Sequence, residues 1–400
     1  MRIGMPRETK SRERRVALTP AGVATLVAAD HQVVVEVGAG LKAGFDDAAY
    51  RDAGAEIDQR AGAIGTGGVV IVLHGPTPEQ LSDPEWNALG PDHMLIGQHD
   101  PLWAPDRAAA LAKTGATAVS LELIPRTTKA QSMDVLSSSA TVAGYEAALL
   151  AASKIPKMLP LMMTAAGTVP PARFVILGAG VAGLQAIATA RRLGAVVEGY
   201  DIRPAAMEQI QSLGAKAIEL DLGVATADGT GGYAAEQTED LNRRQNELLT
   251  PFLAEADAII TTAAIPGAES PELVTTEMVE AMRPGSVIID LAAERGGNCR
   301  MTRPDEEVVH EGVMILGPTD LASRSAGTSS QMFSNNVISL FKHLAPEGEL
   351  VLDFDDEIIA GTIVTHDGAV RHPAVRERLG LEDAQPVVEQ QPETPAEETS

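Results

Sequence analysis

The sequence is poor in cysteine and in aromatic residues. Its 400 residues include a single cysteine, Cys299, and aromatic side chains make up 3% of the chain. One cysteine cannot form an intrachain disulfide or supply the thiolates of a cysteine-based zinc or iron–sulfur site. We therefore exclude a disulfide scaffold, predict no metal site, and interpret Cys299 as a small buried side chain rather than a nucleophile.

Positive charge is also scarce. Lysine and arginine number 31 against 55 aspartate and glutamate residues, which gives a formal net charge of −24. Nucleic acid and anionic membrane surfaces would repel such a chain, so we expect no nucleic-acid partner. Residues 382–400 combine glutamates with prolines and few apolar side chains, a composition that predicts a disordered acidic tail.

Long uninterrupted apolar runs are missing as well. No stretch reaches the roughly 18 uncharged apolar residues needed to cross a bilayer. The amino-terminal charges are not followed by an apolar run, so we expect no secretory signal and no direct membrane insertion. Met158, Met162 and Met163 lie in a short apolar segment that we interpret as core or cleft wall.

What the sequence does contain is two series of strand-like segments that alternate with helical ones. The first fills the initial third of the chain, and the second begins at Arg173. Such alternation predicts parallel sheets with helices on both faces. We predict an α/β protein with two Rossmann-like domains, separated by a cleft and linked by long helices, the first of them over Ser132–Lys154.

The order of these segments predicts that the first domain is discontinuous. After the second series, strand-like sequence returns at Leu350–Asp353 and Gly361–Thr365, and we expect it to pack back on the first domain. We assign residues 1–130 plus 330–378 to the first domain. Residues 131–329 form the second domain together with the linking helix.

A glycine-rich turn opens the second series. Gly178, Gly180 and Gly183 form G-x-G-x-x-G between an apolar strand and an alanine-rich helix. This spacing permits a tight turn, close approach of a pyrophosphate and close helix–strand packing, while the helix start offers free N–H groups. We predict that these glycines, with Val181 and Ala182, bind a dinucleotide, and a tight turn without a ligand is the alternative.

An acidic residue follows at the spacing typical of dinucleotide sites. Asp201 ends the next strand, 18 residues beyond Gly183, where a carboxylate accepts hydrogen bonds from the adenosine ribose. Its charge would repel a 2′-phosphate, which favours NAD(H) over NADP(H). Arg203 is the one hint of the opposite preference, and we interpret it as a solvated side chain.

A polar segment lies where the chain passes from the first series to the second. Arg126, Gln131, Asp134 and Ser137 follow the last strand of the first series. Parallel sheets bind ligands beyond the carboxyl ends of their strands, so these side chains are placed to line the cleft. The alternative is a linker in which Asp134 only caps the start of a helix.

Several motifs together resemble the alanine dehydrogenase/transhydrogenase family. They are RIGMPRE at 2–8, RVALTP at 15–20, PRTTKAQSMD at 125–134, TAAGTVPPA at 164–172, GAGVAG at 178–183, GYA at 232–234, TTA at 261–263, DLA at 290–292 and GGNC at 296–299. The segment at 125–134 and the GYA motif are similar to the transhydrogenase branch. The resemblance covers about residues 1–373.

The resemblance implies roles for individual residues. Arg126, Gln131, Asp134 and Ser137 would form the catalytic segment at the nicotinamide end of NAD(H), with Gln131 directed toward a partner's dinucleotide. Tyr233 and Ala234 would form the tip of a loop that closes over the nucleotide. The other implied cofactor-binding residues accompany Asp201 and the glycine turn, namely Ile202, Arg203, Thr262 and Ala263.

The resemblance also implies partners. Such chains are homodimers that dock onto membrane-spanning and NADP(H)-binding subunits, and hydride passes directly between NAD(H) here and NADP(H) there, coupled to proton movement. That chemistry needs ring positioning and exclusion of water but no general acid or base. The chain would then be cytoplasmic and peripheral on the inner face of the cell membrane.

Two other functions stay open. An alanine dehydrogenase would use Arg15 for a carboxylate and His99 for proton transfer, but His74 and Glu294 stand where that branch has lysine and aspartate. We therefore interpret His74 and His99 as ordinary strand-end histidines. A non-catalytic NAD-sensing module would keep the glycine turn but would not need the polar segment at 126–137.

Overall fold

The computed structural model describes residues 1–221 and 239–381, so Tyr233, Ala234 and the predicted tail of residues 382–400 lie outside the described residues. The described strands are β1 (Arg2–Met5), β2 (Gln32–Glu36), β3 (Glu56–Asp58), β4 (Gly68–His74), β5 (His93–Gln98), β6 (Thr117–Ser120), β7 (Met162–Thr164), β8 (Gly167–Val169), β9 (Arg173–Leu177), β10 (Val196–Tyr200), β11 (Lys216–Ala217), β12 (Ala258–Thr261), β13 (Val287–Asp290), β14 (Glu307–His310), β15 (Val313–Leu316), β16 (Ile363–His366) and β17 (Ala369–Val370).

The described α-helices connect these strands. They are α1 (Pro20–Val27), α2 (Asp47–Asp52), α3 (Arg60–Ile64), α4 (Pro105–Thr114), α5 (Val135–Lys154), α6 (Val181–Arg192), α7 (Pro204–Ser212), α8 (Glu239–Ala254), α9 (Thr276–Glu280), α10 (Leu321–Arg324), α11 (Ala326–Leu344), α12 (Glu357–Thr362) and α13 (Pro373–Arg378).

Two large sheets organise the molecule, as the alternating segments predict. The first has the strand order β17-β16-β6-β5-β4-β1-β2-β3, and the second has the order β11-β10-β9-β12-β13-β15-β14. Strands β1–β6 pair in parallel, and β16 pairs antiparallel with β6. In the second sheet β14 pairs antiparallel with β15, whereas the other described pairs are parallel. The predicted α/β class with two parallel-rich sheets is confirmed.

Each sheet is covered on both faces, because successive strand residues point to opposite sides. In β4, Ile71 enters one hydrophobic cluster while Val70 and Val72 enter another. In β9, Ile176 and Leu177 are divided in the same way. Near-continuous apolar strands are typical of parallel sheets buried on both faces.

Two long helices connect the sheets. Helix α5 packs against α6, α10 and α11, and α11 contributes Phe333, Val337 and Phe341 to the core of the first sheet. Among the described helices, α5 alone has the length and composition of a membrane span. The predicted helix from Ser132 begins later, at Val135, because Asp134 caps it and Thr128–Met133 form a 3₁₀ turn.

Two expectations are wrong. Leu350–Asp353 form no strand; Leu350 and Leu352 instead pack against the core of the first sheet without a ladder. The methionines do not form a core wall, because Met158 is 53% exposed and Met163 is 80% exposed. Met163 lies in β7, which pairs with β8 as a separate antiparallel hairpin.

Candidate functional site

The glycine-rich turn joins β9 to α6 as predicted. Gly178 has φ +97°, which favours glycine, and a side chain at Gly183 would clash with the carbonyl oxygen of Gly178 at 1.8 Å. A Cβ at Gly180 would meet no described atom within 4 Å. Among the described residues no side chain caps the start of α6. The turn therefore presents backbone and a helix amino terminus, with Val181 and Ala182 at its first turn, to an open space.

Asp201 lies directly beside this turn. Its Oδ2 atom accepts a hydrogen bond of 2.7 Å from the backbone N–H of Ala179, inside the turn. Burial alone would raise its pKa, but hydrogen bonds from Arg203 and Ala179 outweigh burial and hold the pKa of Asp201 below 3.8. The carboxylate is therefore ionised at neutral pH and repels a 2′-phosphate.

Arg203 is not simply a solvated side chain, and that interpretation is wrong. Its Nε and Nη2 atoms donate to Oδ1 and Oδ2 of Asp201 at 3.0 and 2.9 Å. The two residues form a bidentate ion pair in which the Arg203 side chain is 42% exposed. Ile202, between them, is half-buried.

Thr262 and Ala263 complete the rim of the turn. The Thr262 hydroxyl donates to the carbonyl oxygen of Gly178 at 3.0 Å. Ala263 is held by Asn298, whose Oδ1 accepts from the Ala263 N–H at 3.0 Å and whose Nδ2 donates to the Ala263 carbonyl at 2.9 Å. Asn298 is fully buried. Sequence reasoning missed it, because 35 residues separate Asn298 from Ala263.

The polar segment at 126–137 enters the linking helix α5. Asp134 caps that helix: its Oδ1 accepts from the Ser137 N–H at 2.9 Å, and its Oδ2 accepts from the Ser137 hydroxyl at 2.5 Å. Arg126 and Gln131 are exposed. Ala130 and Met133 are buried in the core of the first sheet. The structure thus joins Asp134 to Ser137 and presents Arg126 and Gln131 on a turn anchored in the first core.

A pocket of about 230 Å³ lies between the two sheets. One side comes from segments that follow the carboxyl ends of β1, β4 and β5, and the other from segments after β13 and β15. Its polar lining includes Lys10, Arg15, His74, Gln98, Glu294 and Asp320. Because parallel strands bind ligands at their carboxyl ends, the pocket lies where the predicted cleft should be.

A buried carboxylate dominates the first-sheet side of this pocket. Glu13 accepts hydrogen bonds from Nε and Nη2 of Arg15 at 2.9 and 2.7 Å, and its Oε2 lies 2.9 Å from His74 Nε2. Burial raises the pKa of Glu13, but bonds from Arg15 and His74 outweigh it and bring the pKa well below 4.5. Sequence reasoning did not single out Glu13.

The two histidines differ in environment. His74 ends β4 and pairs with Glu13, so it is more than a plain strand-end residue. Burial lowers the pKa of His74 below 6.5, against the opposing effect of Glu13, which favours the neutral imidazole at pH 7. His99 is 1% exposed, and burial lowers its pKa to about 4. Neither ring is a cation at neutral pH.

The remaining candidates have structural roles. Cys299 is buried, and burial raises the pKa of its thiol to about 11, which disfavours a nucleophilic thiolate. Glu294 forms an ion pair of 3.0 Å with Lys10 across the pocket. No group of three or more metal-ligating side chains occurs within residues 1–221 and 239–381.

Comparison with protein families decides which proteins share this arrangement. The N-terminal domain of alanine dehydrogenase/PNT matches residues 4–143, and the C-terminal domain of alanine dehydrogenase/PNT matches residues 147–373. The chain belongs to the alanine dehydrogenase/transhydrogenase family. The resemblance seen in the motifs is therefore confirmed.

Individual members of this family match over nearly the whole chain. The chain is 44% identical to the first polypeptide of NAD(P) transhydrogenase subunit alpha of Rhodospirillum rubrum, over 94% of this chain and 99% of the relative. It is 30% identical to alanine dehydrogenase of Bacillus subtilis, over 96% of each. A crystal structure of transhydrogenase from Sinorhizobium meliloti matches with a TM-score of 0.81 at 39% identity, over 94% of this chain and 100% of that chain. These relatives support a transhydrogenase-type oxidoreductase.

Proposed function

We propose that this chain is the NAD(H)-binding subunit of a proton-translocating NAD(P) transhydrogenase. In this proposal hydride passes directly between NAD(H) held by the second sheet and NADP(H) held by a partner subunit. The observation that carries the proposal is the open turn at Gly180 beside the ionised Asp201. Open space at a helix start suits a pyrophosphate, and an ionised acid one strand away suits an adenosine ribose.

The residues of the turn fit a dinucleotide by a direct test. A Cβ at Gly180 would extend into the space that a phosphate needs, whereas Gly178 and Gly183 have no room for a side chain. The first N–H groups of α6 would bind the pyrophosphate, and the carboxylate of Asp201 would bind the ribose. When bound, NAD(H) supplies or accepts the hydride.

The polar segment would position the ring rather than move protons. The cap between Asp134 and Ser137 fixes the end of the segment, so that the exposed Arg126 and Gln131 project from a rigid turn. We propose that Asp134 and Arg126 orient the carboxamide and that Gln131 reaches toward the partner's dinucleotide. Positioning of this kind is sufficient for transfer between two nicotinamides.

Partners follow from the same proposal. The membrane-spanning and NADP(H)-binding subunits would be separate chains, and this chain would sit in the cytoplasm on the inner face of the cell membrane through them. We propose a homodimer in which a second copy covers the apolar side chains next to and within the β7–β8 hairpin. These include Leu161 and Met163, which are 54% and 80% exposed, and sedimentation of the whole chain tests this dimer.

Alanine dehydrogenase activity is the weaker candidate, although a relative at 30% identity carries that name. The guanidinium of Arg15, which would bind a substrate carboxylate, is already paired with Glu13. His74, where that branch has lysine, is neutral at pH 7. A non-catalytic NAD-sensing module would not explain the exposed pair of Arg126 and Gln131.

The test is direct hydride transfer. NADH tritiated at the reacting carbon is mixed with the chain, its co-expressed partner subunits and NADP⁺, and we expect the label in NADPH rather than in water. Label in water, or no transfer, would contradict direct exchange. L-alanine with NAD⁺ should give no NADH, and robust formation of NADH would instead support the alanine dehydrogenase function.

A substitution separates ring positioning from nucleotide binding. Gln131→Asn shortens the exposed side chain by one methylene, so we expect transfer to slow by about tenfold or more while NADH affinity stays nearly unchanged. Single-turnover transfer and an NADH titration measure the two quantities. A large loss of NADH affinity would instead place Gln131 in the primary binding site.

A further inference from the structure

The carboxylate of Asp201 is fully occupied by donors of the protein itself. Its Oδ2 accepts from the Ala179 N–H at 2.7 Å and from Arg203 Nη2 at 2.9 Å. Its Oδ1 accepts from the Arg203 N–H at 2.9 Å and from Arg203 Nε at 3.0 Å. A carboxylate has about four lone-pair sites, so these four donors saturate it.

A ribose diol needs acceptor sites that these donors hold. Two of the four donors are backbone N–H groups, one in the glycine turn and one at the start of α7, and neither can leave without unfolding its segment. The other two belong to the guanidinium of Arg203. That side chain is 42% exposed, against 8% for Asp201. An ion pair with one partner so exposed is weak, so the guanidinium is the group that can leave.

We infer that Arg203 is a specificity-determining residue of the adenosine subsite, because its guanidinium competes with the ribose hydroxyls of NAD(H) for Asp201. The inference rests on the proposed function, namely that the second sheet binds NAD(H). The competition lowers the apparent affinity for NADH by the fraction of chains in which the pair is closed. Once released, the guanidinium lies beside the ribose, where an arginine attracts a 2′-phosphate. Arg203 therefore reduces the discrimination against NADP(H) that Asp201 creates.

Other roles of Arg203 predict a different result. If Arg203 only held the turn in shape, its removal would weaken binding of both nucleotides. If it only attracted phosphate charge at long range, its removal would again weaken both. Competition for Asp201 alone moves the two affinities in opposite directions.

The experiment compares two arginines of the same sheet. Arg203→Gln removes the competing guanidinium. Arg192→Gln removes the same charge at the exposed far end of α6, about 18 Å along the helix from the glycine turn. NADH and NADPH are titrated by fluorescence, and ADP-ribose by calorimetry, against the whole chain and both variants.

We expect Arg203→Gln to bind NADH and ADP-ribose about two- to fivefold more tightly and NADPH more weakly, while Arg192→Gln matches the unaltered chain. Arg203→Lys should be intermediate, because an ammonium cannot serve both oxygens as a guanidinium does. Unchanged or weaker NADH binding by Arg203→Gln, or unchanged NADPH binding, would overturn the inference alone. Failure of the unaltered chain to bind NADH would overturn the proposed function, and the inference with it.

Discussion

Single buried carboxylates set much of the chemistry around the pocket, and each has a different charge state. Glu13 is held ionised by Arg15 and His74. Glu8 is two residues before Lys10, and burial raises its pKa from 4.5 to about 7, although N–H groups of Leu73 and His74 donate to it. Two glutamates five positions apart thus differ in protonation because one has a cationic partner and the other has only backbone donors.

The raised pKa of Glu8 predicts a pH-dependent stability. Between about pH 4.5 and 7 the folded chain keeps a proton on Glu8 that the unfolded chain releases, so stability falls as pH rises through this window. The loss is at most about 3 kcal/mol for a shift of this size. Urea unfolding at several pH values should therefore show a steeper decline for the unaltered chain than for Glu8→Gln.

The matched control for this measurement is Glu347→Gln, which removes a carboxylate at an exposed position. We expect it to keep the decline of the unaltered chain. Gln at position 8 also changes the bonds to Leu73 and His74, which shifts stability at every pH but leaves the slope as the diagnostic quantity. Equal slopes for all three chains would contradict the assignment.

At the scale of elements, helix α5 carries two duties. Its start is capped by Asp134 next to the proposed nicotinamide site, and its middle lies so close to α6 that a Cβ at Gly144 would approach the Ala182 carbonyl oxygen to 2.0 Å. The polar segment and the glycine turn are therefore both attached to one helix. A change at the helix start affects stability and the site together, unless the substitution keeps the cap.

Two substitutions of Asp134 separate these duties. Asparagine is as good a cap as aspartate, so Asp134→Asn should leave the free energy of unfolding within about 0.5 kcal/mol. Asp134→Ala should lower it by about 1 kcal/mol. If the carboxylate orients the carboxamide, both variants slow hydride transfer; transfer by Asp134→Asn at the unaltered rate would leave Asp134 as a cap only. Urea unfolding and single-turnover transfer give the two readouts.

The same scale shows what sequence can and cannot predict. The glycine turn and Asp201 are predictable because their roles depend on local spacing along one β-α-β unit. Asn298 and Glu13 are not, because their partners are fixed only when distant segments meet at the strand ends. The Leu350–Asp353 prediction failed for a related reason: apolar residues can pack on a core as an extended segment without finding a ladder partner.

At the scale of the whole molecule, ion pairs join the two sides of the pocket. Arg12 pairs with Asp305 at 2.7 Å, Lys10 with Glu294 at 3.0 Å, and Arg295 with Asp100 at 2.5 Å. The guanidinium of Arg295 also lies over the ring of Trp103, 4.6 Å from its centroid. These contacts hold together the two halves of a chain with a net charge of −24, and salt should weaken them.

Removing one of these ion pairs should loosen the two halves. Arg295→Gln loses both the pair with Asp100 and the contact with Trp103, so we expect limited proteolysis between the halves to accelerate about two- to fivefold. Trp103 emission should shift as its ring gains water. The sequence has two tryptophans, so Trp86→Phe makes Trp103 the sole reporter.

Arg300→Gln is the control for this prediction. Its ion pair with Glu272 lies within the second sheet's half of the molecule. We expect it to leave both proteolysis and Trp103 emission unchanged. If Arg295→Gln behaves like Arg300→Gln, the contacts across the pocket do not hold the halves together.

The late return of the chain to the first sheet has a consequence for biosynthesis. Strands β16 and β17, and the α11 side chains that fill the first core, are encoded after every strand of the second sheet. On the ribosome, the half that carries the glycine turn can therefore finish folding while the half that began first still waits for its last pieces. The opening segment of the polypeptide is the one that spends longest as an incomplete structure, and it is there that a chaperone would find exposed apolar surface.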